Sequence, residues 1–267
     1  MTAPLVDLAG RHAVVTGAAG GLGRATALML AAVGARVSAL DIDSGGAVAT
    51  AAQIREAGGE ADAITCDVAD ADSVAAAFEQ GAASGAPDIL VNNAGVNPRV
   101  PSLEITAQVW AQTMAINLTG YFYCAQRFAA QLVARGCGGA VVNVSSVGGA
   151  TALGRGNFCY GVTKGGVNQM TRELAVAWAP HGIRVNAVAP CQIATDGLLG
   201  ISQRPSAEGR LLDTFLRGIP LRRLVEPREV AAAVTFLASD AAAMITGVIL
   251  PVDGGNLAFN AGGTVGE

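Results

Sequence analysis

Seven short runs of β-branched and aliphatic residues are strung along the chain, at His12 to Thr16, Ala35 to Leu40, Ala61 to Thr65, Ile89 to Asn92, Ala140 to Val144, Ile183 to Val188 and Val248 to Val252. The stretches between most of them are alanine-rich and long enough to carry a helix. Strand-helix-strand repetition predicts parallel pairing, because a parallel neighbour is reached only through a long crossover. Parallel strands are buried on both faces, which the near-continuous apolar character of the runs matches. With right-handed crossovers the expected fold is α/β: a Rossmann-like, doubly wound, parallel seven-stranded sheet with helices on both faces, three layers in all. Ligands on such sheets bind beyond the carboxyl ends of the strands, near the point where strand order reverses. The chemistry is therefore expected in the loops that leave the strands.

The 267 residues fit one domain, 1–267, and no linker or internal repeat divides it. A composition of 51% hydrophobic and 14% charged residues excludes a disordered chain. A net charge of -4 leaves no broad basic field, so no nucleic-acid partner is expected. The start, Met1-Thr-Ala-Pro-Leu-Val-Asp-Leu, lacks the basic region and long apolar run of a secretory signal, and no stretch reaches the ~20 apolar residues of a membrane span. A cytoplasmic protein without membrane association is expected. Cys66, Cys124, Cys137, Cys159 and Cys191 are scattered without a C-x-x-C pair, and His12 and His181 are the only histidines. Free thiols, mostly in the core, and no metal site are expected.

Three local patterns carry chemistry. The first run leads into Thr16-Gly17-Ala18-Ala19-Gly20-Gly21-Leu22-Gly23 and then into a helical stretch from Arg24. Glycines there permit a tight turn and a close approach of backbone to a pyrophosphate, whose charge is met by the amides and dipole of the helix N-terminus. Asp41 directly follows the second run; a carboxylate in that place accepts hydrogen bonds from the adenosine ribose hydroxyls and repels a 2′-phosphate. Position 20, where a basic residue could hold that phosphate, is glycine, and Ile42 is uncharged, so the expected cofactor is NAD rather than NADP. Asp43 or Ser44 fits better as the cap of the following helix. Tyr160 and Lys164 lie four apart at the start of a helical stretch marked by Val167, Met170, Leu174 and Trp178 and stopped by Pro180-His-Gly. An unperturbed phenol, with a pKa near 10, is only about 0.1% ionised at pH 7, and a neighbouring ammonium favours its charged form.

Taken together these residues resemble the short-chain dehydrogenase/reductase family over nearly the whole chain. The resemblance rests on the TGxxxGxG turn at Thr16 to Gly23, Cys66-Asp67-Val68, Asn92-Asn-Ala-Gly95, Asn117, Ser145-Ser146, Tyr160 with Lys164, Arg184-Val-Asn-Ala-Val-Ala-Pro190, and Ile245-Thr-Gly with Val252-Asp-Gly-Gly255. It implies a catalytic tetrad in which Tyr160 is the general acid/base and Ser146 hydrogen-bonds the substrate oxygen. Lys164 lowers the tyrosine pKa and contacts the nicotinamide ribose, and Asn117 holds a water that links the lysine to solvent. By the same resemblance Gly17, Gly20, Gly21, Leu22 and Gly23 form the pyrophosphate turn, Asp67 and Val68 flank the adenine, and Asn93, Ala94 and Gly95 line the cofactor. Pro190 joins the cofactor site, and Ile193 and Thr195 reach the nicotinamide carboxamide. The implied activity is NAD-dependent interconversion of a secondary alcohol and a ketone. The implied assembly is a homotetramer that pairs long helices, with which Gln108 to Ala134 and the small pair Gly165-Gly166 are compatible.

Substrate recognition is expected in a lid at about 192–225 and at residues that flank the tyrosine loop. Arg99, Arg155 and Asn157 can face the substrate entrance, and an arginine's planar fork suits carboxylate or sulfonate oxygens. A polar small molecule is expected: a sugar, polyol, hydroxy acid or related anion. Cys191 stands where the family usually has the glycine of a Pro-Gly pair, and either narrows the pocket or fills space. Two rival functions are a reductase of 3-oxoacyl thioesters or other carbonyls working with NADPH, against which Asp41 and Gly20 argue, and a non-catalytic NAD-binding sensor.

Overall fold

The computed structural model describes residues 6–83, 85–195 and 209–259. Its seven strands are β1 (His12–Thr16), β2 (Arg36–Asp41), β3 (Ala61–Thr65), β4 (Ile89–Asn92), β5 (Gly139–Val144), β6 (Ile183–Pro190) and β7 (Ile249–Val252). They pair in one sheet of order β3-β2-β1-β4-β5-β6-β7, every pair parallel. Strand order reverses between β1 and β4, so the switch point of the doubly wound sheet lies where their carboxyl ends part.

Alternate residues of β1 serve opposite faces, as the two-residue period of a strand requires. Ala13 and Val15 join one apolar cluster and Val14 the other. The first cluster takes Leu22, Ala27 and Leu30 from α1 (Gly21–Ala32), Ala51 and Ile54 from α2 (Ser44–Glu56), and Val230, Val234 and Leu237 from a late helix, Pro227–Ala238. The second takes Val74 and Phe78 from α3 (Ala71–Ala82), Phe128 and Leu132 from a helix at Gly120–Arg135, and Ala175 from a helix at Phe158–Trp178. In chain order the remaining helices are α4 (Ala107–Met114), α5 (Gly120–Arg135), α6 (Phe158–Trp178), α7 (Gly209–Arg217) and α8 (Pro227–Ala238). The expected three-layer α/β/α architecture is present. No described helix is long and apolar enough to cross a membrane.

Side chains close three helix starts on the β1-to-α4 half of the chain. Asp43 accepts from the Gly46 amide at α2, Asp70 from Asp72 at α3, and Thr106 from Val109 at α4. Of the two caps the sequence offers for α2, Asp43 and Ser44, the cap is Asp43. Helix α1 differs: Gly20 precedes it and no side chain caps its amides, which leaves the donors of its first turn for another acceptor.

The expected helix from Gln108 to Ala134 is two helices joined by a π-helical turn, Ala115–Thr119, that contains Asn117. Gly166 on α6 packs against Leu118 of that turn, where an added Cβ would come within 2.9 Å of Cδ2. The small pair at 165–166 thus serves packing within the chain. Of the lid expected at about 192–225, residues 196–208 lie outside the described residues. Its later part forms α7.

Candidate active site

A groove of about 390 Å³ opens at the switch point, lined by Gly17, Gly20, Leu22, Gly23, Asp41, Asp67, Val68, Asn93, Ala94 and Gly95. The glycines of the turn have separate reasons. Gly17 has φ 66°, and a Cβ there would lie 2.8 Å from the Ala94 Cα, while a Cβ on Gly23 would lie 1.9 Å from the Gly17 carbonyl oxygen. Those two hold turn, helix and β4 loop together at close range. Gly20 is different: a Cβ there would meet no protein atom within 4 Å, although the residue lines the groove. Gly21 begins α1 next to Thr195, whose Cγ2 would be 3.8 Å from an added Cβ.

Asp41 receives the Ala19 amide at 2.8 Å on one carboxylate oxygen and the Asp43 amide at 2.9 Å on the other. These bonds fix the carboxylate at the end of β2 beside the turn. Arg24 faces away from this role, since its guanidinium bonds the Ala19 carbonyl and the Thr50 hydroxyl. Ile42 lines the groove and is exposed. An uncapped helix start, a glycine that would crowd nothing of the protein, and a fixed carboxylate suit a dinucleotide: diphosphate at α1, adenosine ribose at Asp41.

Asn93 lines the groove and also buckles it. Its side-chain amide donates to the carbonyls of Thr16 (3.0 Å) and Gly17 (3.1 Å), while the Thr16 hydroxyl accepts from the amides of Asn93 (3.0 Å) and Ala94 (3.1 Å). The loops after β1 and β4 are thereby tied across the switch point. Thr16, the first residue of the TGxxxGxG turn, thus supplies a hydroxyl at the last strand position that ties the two loops.

A second cavity, about 670 Å³, is lined by Ser146, Tyr160, Cys191, Ile193 and Thr195 together with Asn97, Arg99, Arg155, Asn157 and Phe215. Ser146 and Tyr160 interact: burial raises the tyrosine pKa, and a hydrogen bond with Ser146 acts in the opposite direction. The neighbouring Ser145 is fully engaged elsewhere. Its hydroxyl lies 2.5 Å from Asn168 Oδ1 and 3.3 Å from the Lys164 carbonyl, and it lines neither cavity. Of the two serines, only Ser146 lines the cavity with Tyr160.

Lys164 is 3% exposed. Its ammonium donates to the Val144 carbonyl at 2.7 Å and to the Tyr121 hydroxyl at 3.1 Å, and Tyr121 donates in turn to Val144 at 3.1 Å. Burial pushes Lys164 down to about 7. Its ammonium is 5.6 Å from the centroid of the Tyr160 ring. Tyr121, the one side chain that hydrogen-bonds the ammonium among the described residues, carries no motif that marks it in the sequence.

Asn117 is fully buried. Its amide donates to the Val96 carbonyl (2.8 Å) and the Thr163 hydroxyl (3.3 Å), and its oxygen accepts from the Val96 amide (2.8 Å). It ties the β4 loop to α6 directly below Lys164 in sequence. Pro190 closes β6 opposite Val252 and lines neither cavity.

The tyrosine loop and the β4 loop are fastened to each other. Asn97 donates to Asn157 at 2.7 Å, and Asn157 donates to the Gly154 carbonyl at 2.6 Å. Asn157 is therefore a brace whose polar atoms are engaged. Three consecutive residues, Gly154, Arg155 and Gly156, have φ of 63°, 52° and 74°, and Arg99 has φ 52°. A non-glycine residue in that region costs roughly 1–2 kcal/mol, which the surrounding contacts must offset. The Arg155 guanidinium lies 4.5 Å over the Phe215 ring. Cys191 is buried, with its thiol 3.4 Å from the Asp253 carbonyl, and burial pushes it up to about 11. It stays a thiol at neutral pH and fills the wall.

A family model described as Enoyl-(Acyl carrier protein) reductase matches residues 17–256. The D-threitol dehydrogenase of Mycolicibacterium smegmatis is 43% identical over 249 residues, 93% of this chain and 93% of the relative. The cis-4-hydroxycyclohexanecarboxylate dehydrogenase of Sinomonas cyclohexanicum is 44% identical over 248 residues, 92% of this chain and 96% of that one. Among solved structures, a gluconate 5-dehydrogenase from Burkholderia cenocepacia J2315 in complex with NADP and tartrate superposes with a TM-score of 0.88 at 33% identity, covering 95% of this chain and 98% of that chain. A short-chain type dehydrogenase/reductase from Mycobacterium marinum does so with a TM-score of 0.87 at 32% identity, covering 94% and 97%. Matched along almost its full length by such relatives, and carrying the parallel sheet and glycine turn described above, the chain belongs to the short-chain dehydrogenase/reductase family of oxidoreductases.

Proposed function

We propose that this chain oxidises the secondary hydroxyl of a polar small molecule to a ketone with NAD as hydride acceptor. The observation that carries the reading is that Ser146 and Tyr160 share one cavity wall, with the Lys164 ammonium buried behind them 5.6 Å from the Tyr160 ring centroid and a dinucleotide groove at the adjoining switch point. When bound, NAD would take the hydride from the carbinol carbon and bring a positive ring to the site. The protein's own part is proton handling and orientation. Ser146 positions the hydroxyl oxygen, and Tyr160 accepts its proton. A positioned base contributes roughly 10² to 10⁴ in rate. Burial alone works against a phenolate at Tyr160, so the Ser146 hydrogen bond and the nearby Lys164 charge supply the opposing stabilisation.

NAD is favoured by the carboxylate of Asp41 and the uncharged Ile42 in the groove. The relatives named for a polyol and for a hydroxy acid support a polar alcohol. We further infer a homotetramer assembled through the α4 to α6 side, where Trp110, Phe122, Phe158, Val162 and Val176 are exposed apolar residues, in the cytoplasm, where free thiols such as these persist.

The test is NAD or NADP reduction by a panel of polyols, sugars and hydroxy acids, with wild type and Tyr160→Phe. Expected is turnover with NAD favoured at least tenfold in kcat/KM, and loss of turnover with retained NADH binding in the variant. Preference for NADP together with turnover of 3-oxoacyl thioesters would replace the reading by the rival reductase. Undiminished turnover in Tyr160→Phe would remove the role given to the phenol.

A further inference from the structure

We propose that Arg99 and Arg155 form a carboxylate clamp in the wall of the substrate cavity, so that the preferred substrate is a hydroxy acid whose alcohol reaches Tyr160 while its carboxylate is held by the two guanidinium groups. The inference rests on the dehydrogenase reading and narrows it.

Both arginines line the cavity that contains Ser146 and Tyr160, and no Asp or Glu among the described residues lines it. Among the described residues the ion pairs belong to Arg11, Arg36, Arg223 and Arg228, and neither cavity arginine has a carboxylate partner. The two positive charges are near enough that Arg99, second to burial, lowers the pKa of Arg155. Two like charges at the solvent-exposed mouth of one cavity, without a carboxylate among the described residues to neutralise them, make a site suited to an anion.

The backbone is built to keep them there. Of the three described non-glycine residues with left-handed backbone, two are these arginines. Gly156 lies against Arg99 so closely that a Cβ on it would be 2.8 Å from the Arg99 carbonyl carbon. The Asn97–Asn157 hydrogen bond fastens the same two loops. Such strain persists only where its surroundings over-determine it, and it clusters at ligand clamps. The Arg155 Cζ sits 4.5 Å over the Phe215 ring, a cation–π contact that anchors the guanidinium in the wall, and its N–H fork suits the two oxygens of a carboxylate.

The experiment compares acids with neutral alcohols of the same skeleton: D-gluconate with D-glucitol, tartrate with threitol, and 4-hydroxycyclohexanecarboxylate with 4-(hydroxymethyl)cyclohexanol. The variants are Arg99→Gly and Arg155→Gly, which remove the side chain and keep the left-handed backbone, and Arg155→Lys, which keeps charge without the fork. Hydrogen bonds to a charged partner correspond to roughly 10- to 100-fold each. The wild type is expected to favour an acid over its neutral partner by about 100-fold in kcat/KM, the glycine variants to reduce that ratio at least tenfold, and Arg155→Lys to fall between. Equal turnover of acids and neutral alcohols, with the ratio unchanged in both glycine variants, overturns the clamp and leaves the dehydrogenase reading standing. If no compound is oxidised, calorimetric titration of the three acids into the NADH-loaded protein decides. Binding that is lost in Arg155→Gly supports the clamp while the dehydrogenase reading falls, and no binding overturns the clamp as well.

Discussion

Replacing Lys164 by methionine should make the protein more stable while it destroys turnover. The lysine is fully enclosed, and burial holds it at about 7 instead of the ordinary 10.5. That difference corresponds to about 5 kcal/mol of free energy disfavouring the folded state near neutral pH. Methionine has a similar length and no charge to desolvate. It would forfeit the bonds to the Val144 carbonyl and the Tyr121 hydroxyl, about 1 kcal/mol each, but Val144 would still accept from Tyr121 at 3.1 Å. The net expectation is a gain of about 2–3 kcal/mol at pH 7, or roughly 5–10 °C in Tm. The sign with pH follows from a depressed folded value: stability is full above the unfolded pKa of 10.5 and is lost as pH falls towards about 7. Wild type should therefore gain about 1.4 kcal/mol per pH unit, relative to Lys164→Met, as pH rises through that window. Urea and thermal unfolding of both proteins at one protein concentration, at several pH values between about 7 and 9.5, measure it. A variant no more stable at pH 7, or two parallel pH profiles, refutes the reasoning.

The two kinds of glycine in the first turn should separate in experiment. Gly23→Ala places a Cβ 1.9 Å from the Gly17 oxygen and should lower Tm sharply or prevent folding, whereas Gly20→Ala touches nothing of the protein and should leave Tm within a few degrees while weakening NADH binding at least tenfold, as measured by fluorescence titration. The adjacent serines should likewise divide: Ser145→Ala, which loses the bonds to α6, should cost about 1–3 kcal/mol in urea unfolding with modest change in kcat, and Ser146→Ala should lower kcat about 10²-fold with little change in stability.

Strand positions were legible because parallel strands must be apolar on both faces, and every expected run became a strand. The edges moved for local reasons. Strand β6 continues past Val188 because Ala189 and Pro190 still pair with Pro251 and Val252. The face of α6 was harder to see. Val167 is buried as the apolar stripe predicts, but Met170, Leu174 and Trp178 are only half-buried, and the enclosed line is Thr163, Val167, Thr171 and Ala175. Its polar members are satisfied by partners far away in sequence: Thr171 accepts from Asn143 at 3.0 Å, which in turn accepts from Asn92 at 3.0 Å. No period in a single helix announces such a ladder. The same limit hid Tyr121, whose role depends on Val144 and Lys164 arriving from two other elements. The glycine turn, Asp41, Asn93 and Ser146, by contrast, each stand within a few residues of a strand end, where topology alone decides the meeting place.

The π-helical turn at Ala115–Thr119 has a consequence for how the chain tolerates change in length. A helix wound at the α pitch drifts about 40° over each four-residue step, so Thr113, Asn117 and Tyr121 would fan apart around a regular helix. The wider turn absorbs that drift, and all three side chains are buried. The turn acts as a phase corrector between two stretches of helix with different partners. Removing one residue from it would rotate everything upstream by about 100° relative to α5, carrying Trp110 away from Phe158, now 6.2 Å away between ring centroids, and disturbing Asn117 within the turn itself. Register, as much as residue identity, is what this part of the sequence encodes.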